Sequence, residues 1–275
     1  KEIKAKLFIL AAQAVESSRL LLNSKNKEFP DGLANSSGAV GKNMLFTGGG
    51  MGSGEFDLSH FSQETLLQSG LFVNRALKDW YFTKEFKGGV DDFLFEHPNP
   101  IRRANSLKRE DGKLLFGKAL QDKIFQTFTT TRTLSFEVFT DWMPNDNCFV
   151  SVDENYQDKY GIPVANIRIG AHPQDVKVGE FLAQKALKVL EKMEAKNITY
   201  DISPLPSQNL QAGGCRFGDD PKKHVLNRYC QSYDHPNLFV TDGSFMPTGG
   251  SVPYTWTIYA NAFRVAHYIR DNIRI

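Results

Sequence analysis

Residues 237–269 read NLFVTDGSFMPTGGSVPYTWTIYANAFRVAHYI. Leu238-Phe239-Val240 is a short apolar strand, Asp242-Gly243 a tight turn, and a loop rich in Gly and Pro leads into a helix beginning near Tyr254 or Thr255. Glycine lets a backbone pass close to a ligand. The first turn of a helix presents N–H groups that have no partner within the helix. Strand, acidic turn and helix in this order predict a main chain that lies against a bound ligand.

Working outward, the chain opens with a predicted strand over Ala5–Leu10 and a turn at Ala11-Ala12-Gln13-Ala14. A helix follows over Val15–Ser24, with Val15, Leu20, Leu21 and Leu22 as its apolar face. Residues 32–49 are a Gly- and Asn-rich connection. Gly48–Gly54 has no strand of the right kind running into it and reads as a mobile loop. Between Phe46 and Asp201 aromatic residues accumulate, among them Phe56, Phe61, Phe72, Trp80, Tyr81 and Phe82. In that stretch Leu134–Trp142 alternates as a strand, and Cys148–Val152 with Ile162–Ile169 reads as a pair of strands. His172–Lys196 carries a helical apolar stripe, read as core, with its lysines on a solvated face. Residues 87–118 read as a loop-rich surface excursion.

The spacing of these segments resembles the glucose-methanol-choline (GMC) flavoprotein oxidoreductases. In the C-terminal run, Asp242-Gly243-Ser244, Pro247, Gly249-Gly250, Thr255, Thr257 and Ile258 fall in register with the family's turn-and-helix signature. The run FILAAQAVESSRLLLNS from Phe8 resembles a second signature, from which Gln13 and Ser18 depart. Asn35, Gly38, Val40, Gly41 and Asn43 match the segment that crosses the flavin ring in that family. Gly213, Gly214, Arg216, Gly218, Asp220, Pro221, Val225, Asn227 and Asn237 match a fourth segment, and Asp158-x-x-Gly161-Ile162-Pro163 resembles a substrate-domain hairpin.

The resemblance implies an α/β fold with two parts. Residues 1–45 and 200–275 would be part of a Rossmann-like FAD-binding domain, and 46–199 an α+β substrate domain built on antiparallel sheet. It implies FAD as cofactor, with Ala12, Gly41, Asn43, Asp242, Gly243, Tyr254 and Thr255 near it. It implies hydride transfer from a CH–OH group of a sugar, sugar acid or polyol. The resemblance to the gluconate-dehydrogenase-like branch of the family implies an electron-transfer subunit as a partner. No G-x-G-x-x-G fingerprint occurs, and the chain opens at a core strand. The strand and glycine turn for the ADP moiety are therefore expected from an N-terminal segment or a separate chain.

The match breaks where the family does its proton chemistry. Register puts Leu210 and Pro253 at the positions of the catalytic His and of its His or Asn partner. Neither side chain can accept a proton. Asn209, Gln211 and Tyr254 are the adjacent polar groups, and His60, His97 and His172 are histidines that another segment could bring in. The alternative function is a catalytically impaired or inactive flavoprotein-like subunit that serves as a binding or structural partner.

Composition narrows the field further. A net charge of +2 gives no electrostatic case for nucleic acid, and no apolar run reaches membrane-spanning length. Cys148, Cys215 and Cys230 fit no zinc spacing and read as buried thiols, and no His/Cys/Asp cluster predicts a metal.

Overall fold

In the computed structural model, which describes residues 2–62, 73–95 and 99–273, the predicted first strand is β1 (Phe8–Leu10). It pairs in parallel with β12 (Leu238–Val240), Phe8 opposite Leu238 and Leu10 opposite Val240. Helix α1 (Ala14–Asn23) follows β1 directly. Its buried face differs from the predicted one: Ala14, Ser17, Ser18 and Leu21 are buried, while Leu20 is exposed. Small hydroxyl residues sit inside because backbone passes close by; a Cβ on Gly214 would crowd the Ser18 hydroxyl.

The antiparallel sheet expected in the middle of the chain is present. Its strands run β10 (Lys196–Ile202), β2 (Leu45–Asp57), β7 (Thr131–Asp141), β4 (Gly89–Phe95) and β3 (Val73–Leu77), and β11 (Ser207–Ala212) also pairs with β2. The Gly48–Gly54 stretch is not a loop. It is the centre of β2, and the glycines are there for space. A side chain on Gly49 would strike the Val138 carbonyl, one on Gly50 the Asp201 carbonyl, and one on Gly52 the Phe136 ring. Glycine inside a strand marks such close approach, and a reading by composition alone takes it for flexibility.

Residues 87–118 are also more regular than predicted. They hold β4, helix α2 (Pro100–Ser106), the short pair β5 (Arg109–Glu110) and β6 (Lys113–Leu114), and the start of helix α3 (Gly117–Thr129). Asn99 caps α2, accepting from the N–H groups of Ile101 and Arg102, with Pro100 in the first turn. The long helical stripe forms α4 (Pro173–Lys192) and stops before β10, sooner than its apolar pattern suggested. Phe72 and His97 lie outside the described residues.

The chain divides into two compact units. One holds residues 1–48, 140–176 and 204–275, with a core that includes Leu21, Leu45, Leu226, Phe239, Val240, Tyr254, Val265 and Ile269. The other holds 49–139 and 177–203, where Val178, Leu182, Ala186 and Leu190 of α4 bury against Phe56, Phe93, Phe136 and Val138. Residues 140–176, grouped by sequence with 46–199, thus pack in the first unit. The reason is visible in the hairpin β8 (Phe149–Gln157) and β9 (Pro163–Arg168). Arg19 of α1 donates to the Asp158 carboxylate at 2.7 Å and to the Pro163 carbonyl at 2.8 Å, and the Val150 N–H donates to the Gly41 carbonyl. The Asp-x-x-Gly-Ile-Pro motif makes the turn itself: Asp158 accepts from the N–H groups of Tyr160 and Ile162.

All three cysteines are buried. Burial pushes each thiol up, Cys215 to about 12, so the nucleophilic thiolate is scarce. Treatment of the native protein with a thiol-reactive chromophore at pH 8 is expected to release almost no signal from Cys148, Cys215 and Cys230 until denaturant is added. Rapid native labelling of any of them would contradict the packing.

Candidate functional site

Three backbone segments meet beyond the carboxyl ends of the parallel strands. The turn at Ala11–Gln13 leaves β1, the turn at Asp242–Ser244 leaves β12, and Gly213-Gly214 continues from Gln211 and Ala212 at the end of β11. The Asp242 carboxylate ties the first two together. It accepts from the Gln13 N–H at 3.1 Å, from the Ser17 hydroxyl, and from the Ser244 N–H at 2.8 Å. Ser17 in turn accepts from the Ala12 N–H at 3.2 Å. Successive main-chain bonds from Gly213 to Gly243, Cys215 to Ser244 and Phe217 to Phe245 then lay the third segment along the second.

These bonds hold Ala12, Asp242 and Gly243 close to one another, with Gln211 near the end of the third segment. Gly41 and Asn43 join through the glycine pair: the Gly41 N–H donates to the Gly214 carbonyl at 2.7 Å, and the Asn43 backbone leaves no room for a side chain on Gly213. Helix α5 (Thr255–Asn272) starts beside the same turn, where Ile258 approaches Gly243.

The polar candidates separate by environment. Gln211 is half-buried and engaged: the Gln13 Nε2 donates to its carbonyl at 3.2 Å and to its Oε1 at 3.1 Å. Asn209 lies in β11 by its backbone, and its side chain is outside the described residues, as is that of His60. Tyr254 is 3% exposed and part of the core, so it does not present an open phenol; burial and the nearby Asp141 charge push that phenol up. Thr255, next to it, is exposed at the helix start. His172 opens α4, its Nδ1 accepting from the Gln174 N–H, and so serves the helix start. Among the described residues no His, Cys, Asp or Glu group could hold a metal ion.

Ser17 is the contributor that inspection of single residues misses. Its signal lay in the small-hydroxyl position of the strand-to-helix signature, and only the fold shows that the hydroxyl faces Asp242. Gln13 is the second. Its φ of 76° and ψ of 159° fall in a region that only glycine adopts freely.

The family model for GMC oxidoreductase matches residues 144–262 of this chain. It is 30% identical to the 2-methyl-1,2-propanediol dehydrogenase of Mycolicibacterium austroafricanum across 98% of this chain and 48% of that protein. It is 25% identical to the fructose dehydrogenase large subunit of Gluconobacter japonicus across 99% of this chain and 48% of that one. A formate oxidase structure from Aspergillus oryzae RIB40 has the same fold, with a TM-score of 0.63 at 15% identity over 97% of this chain and 54% of that one. The chain therefore spans about half the length of the relatives it matches.

Proposed function

We propose that the protein is an FAD-dependent oxidoreductase acting on a CH–OH group of a sugar, sugar acid or polyol. One observation carries this reading: the Ala11–Gln13 and Asp242–Ser244 turns leave the carboxyl ends of adjacent parallel strands, the place where α/β sheets hold ligands. The residues fit a large planar cofactor at close quarters. Ala11, Ala12 and Gln13 are exposed there, and small residues at Gly213, Gly214 and Gly243 keep the neighbouring backbone close. Bound FAD would supply the hydride acceptor. Residues 1–45 and 200–275 would hold it, with Ala12, Gly41, Asn43, Asp242, Gly243, Tyr254 and Thr255 nearest. The segment 46–199 would contribute the substrate side.

Asn209 and Gln211 are the polar candidates that would lie beside the reacting alcohol; Tyr254, the third, is buried in the core. An amide is not a base at neutral pH, and a phenol pushed up by burial is not one either. The alcohol proton must then leave to a group from elsewhere in the protein. This favours, as second reading, a flavoprotein-like subunit that is impaired in catalysis and acts as a binding partner.

Further partners follow from the exposed face of α5. Val265 and Ile269 are buried on one side, while Trp256, Tyr259 and Phe263 are 82%, 57% and 71% exposed on the other. A helix apolar on both sides belongs in an interior. Among the described residues β1 pairs with β12 alone, and parallel strands occur in larger covered sheets. A polypeptide equivalent to the other half of the relatives' length would cover both features. An electron-transfer subunit would be an additional partner, in line with the name of the fructose dehydrogenase large subunit.

The encoded protein, purified whole, is expected to carry bound flavin visible by absorbance. Anaerobic addition of a panel of diols, fructose and gluconate should bleach that band with at least one of them. A flavin band that no alcohol bleaches, or no flavin band after incubation with FAD, would overturn the enzyme reading and leave the impaired or inactive subunit in its place.

A further inference from the structure

We infer that Gln13 is a positioning residue that holds the Asn209–Gln211 segment against the cofactor through an amide bridge to Gln211. The inference rests on the FAD reading above. It starts from the backbone. Gln13 stands in a left-handed extended conformation suited to glycine, at the point where the family signature has a small residue or Asn. Both of its main-chain groups are committed: its N–H donates to Asp242, and its carbonyl accepts from the Ser17 N–H at 2.7 Å. The turn therefore keeps this conformation whatever side chain it carries, and a glutamine there needs a compensating role.

The side chain supplies one. Its Nε2 reaches two acceptors on one residue, the Gln211 carbonyl and the Gln211 Oε1. The segment it grips is irregular. The register of β11 against β2 shifts between Ser207 and Ala212, and Leu210 has a positive φ of 55°. Inside such a bulge the β ladder alone does not fix the strand. The bridge joins it to the β1–α1 turn on the solvent side, beside the exposed Ala12.

Three variants of the encoded protein separate bridge from backbone strain. Gln13→Gly removes the bridge and relieves the strain; Gln13→Ala removes the bridge and keeps the strain; Gln211→Ala leaves one acceptor of the bridge, the backbone carbonyl. The probe is FAD titrated into apoprotein, read by flavin absorbance and quenching, beside thermal unfolding. Gln13→Gly should melt at or above the wild-type temperature yet bind FAD about 3- to 10-fold more weakly, the scale of a lost neutral hydrogen bond pair. Its flavin bands should also move towards those of free FAD. Gln13→Ala should melt lower with the same affinity loss, and Gln211→Ala should show part of it, with no further loss when combined with Gln13→Gly. Wild-type affinity and band positions in Gln13→Gly would overturn the positioning role. A wild-type protein that binds no FAD would instead overturn the flavin reading and this inference with it.

Discussion

Asp91→Asn is expected to stabilise the protein by about 4 kcal/mol relative to wild type at pH 8 and by almost nothing at pH 4. Asp91 lies in β4, is 0% exposed, and among the described residues neither carboxylate oxygen has a hydrogen-bond partner. It shares the strand with Phe93, which is buried in the core under α4. Burial raises its pKa from 3.8 to about 7, with Asp92 next to it pushing the same way. Below pH 4 both the folded and the unfolded chain carry the proton, and the group is neutral in its effect. Between pH 4 and 7 the unfolded chain has released a proton that the folded chain keeps, so rising pH favours unfolding. Above pH 7 the folded chain ionises as well and the penalty is complete, about 4 kcal/mol at 1.36 kcal/mol per pH unit. Asp92 and Glu137 are also raised by burial, so the wild-type decline should exceed the share of Asp91. Urea unfolding of both proteins at a series of pH values measures it. Stability curves that run parallel from pH 4 to 8 would sink the assignment.

Asp242→Ala is expected to destabilise the protein by about 4 kcal/mol. The carboxylate is buried and accepts from three donors on two different segments. Its removal leaves the Gln13 N–H, the Ser17 hydroxyl and the Ser244 N–H in a site with little water, at about 1–3 kcal/mol for each donor that stays unsatisfied. Asp242→Asn keeps one acceptor oxygen and should lose about half as much. The effect should not be confined to the turn, since the Gly243, Ser244 and Phe245 carbonyls on one side accept from Gly213, Cys215 and Phe217. Denaturant unfolding of the two variants gives the comparison. A loss under about 1 kcal/mol for Asp242→Ala would mean that the three donors find other partners, and that Asp242 does not organise the site.

Part of the backbone arrangement at the candidate site was legible in the sequence. Gln211 was named only for its place beside Leu210, while Asp242, Gly243 and Ala12 could be picked out because their chemistry is local: a capping carboxylate, a close-packed glycine and a small turn residue each signal a backbone need at that position. The roles of Ser17 and Gln13 were not, because each depends on a partner about two hundred residues away in the chain. Tyr254 shows the converse error. Its polarity and its place beside Pro253 suggested chemistry, and only its packing in the core reveals a buried ring.

Elements with their own periodicity or capping needed no tertiary information: the apolar stripe of α4, the strand β12 and the Asp158 hairpin are all consequences of neighbours in sequence. Three-dimensional packing alone made Gly48–Gly54 a strand, since the reason for those glycines is the Val138 and Asp201 carbonyls across the sheet. It also moved residues 140–176 into the first unit, through Arg19 and Gly41. Side-chain patterns report what a residue does with its near neighbours; a backbone approach or an ion pair between distant segments leaves no periodic trace, and the folded chain has to supply it.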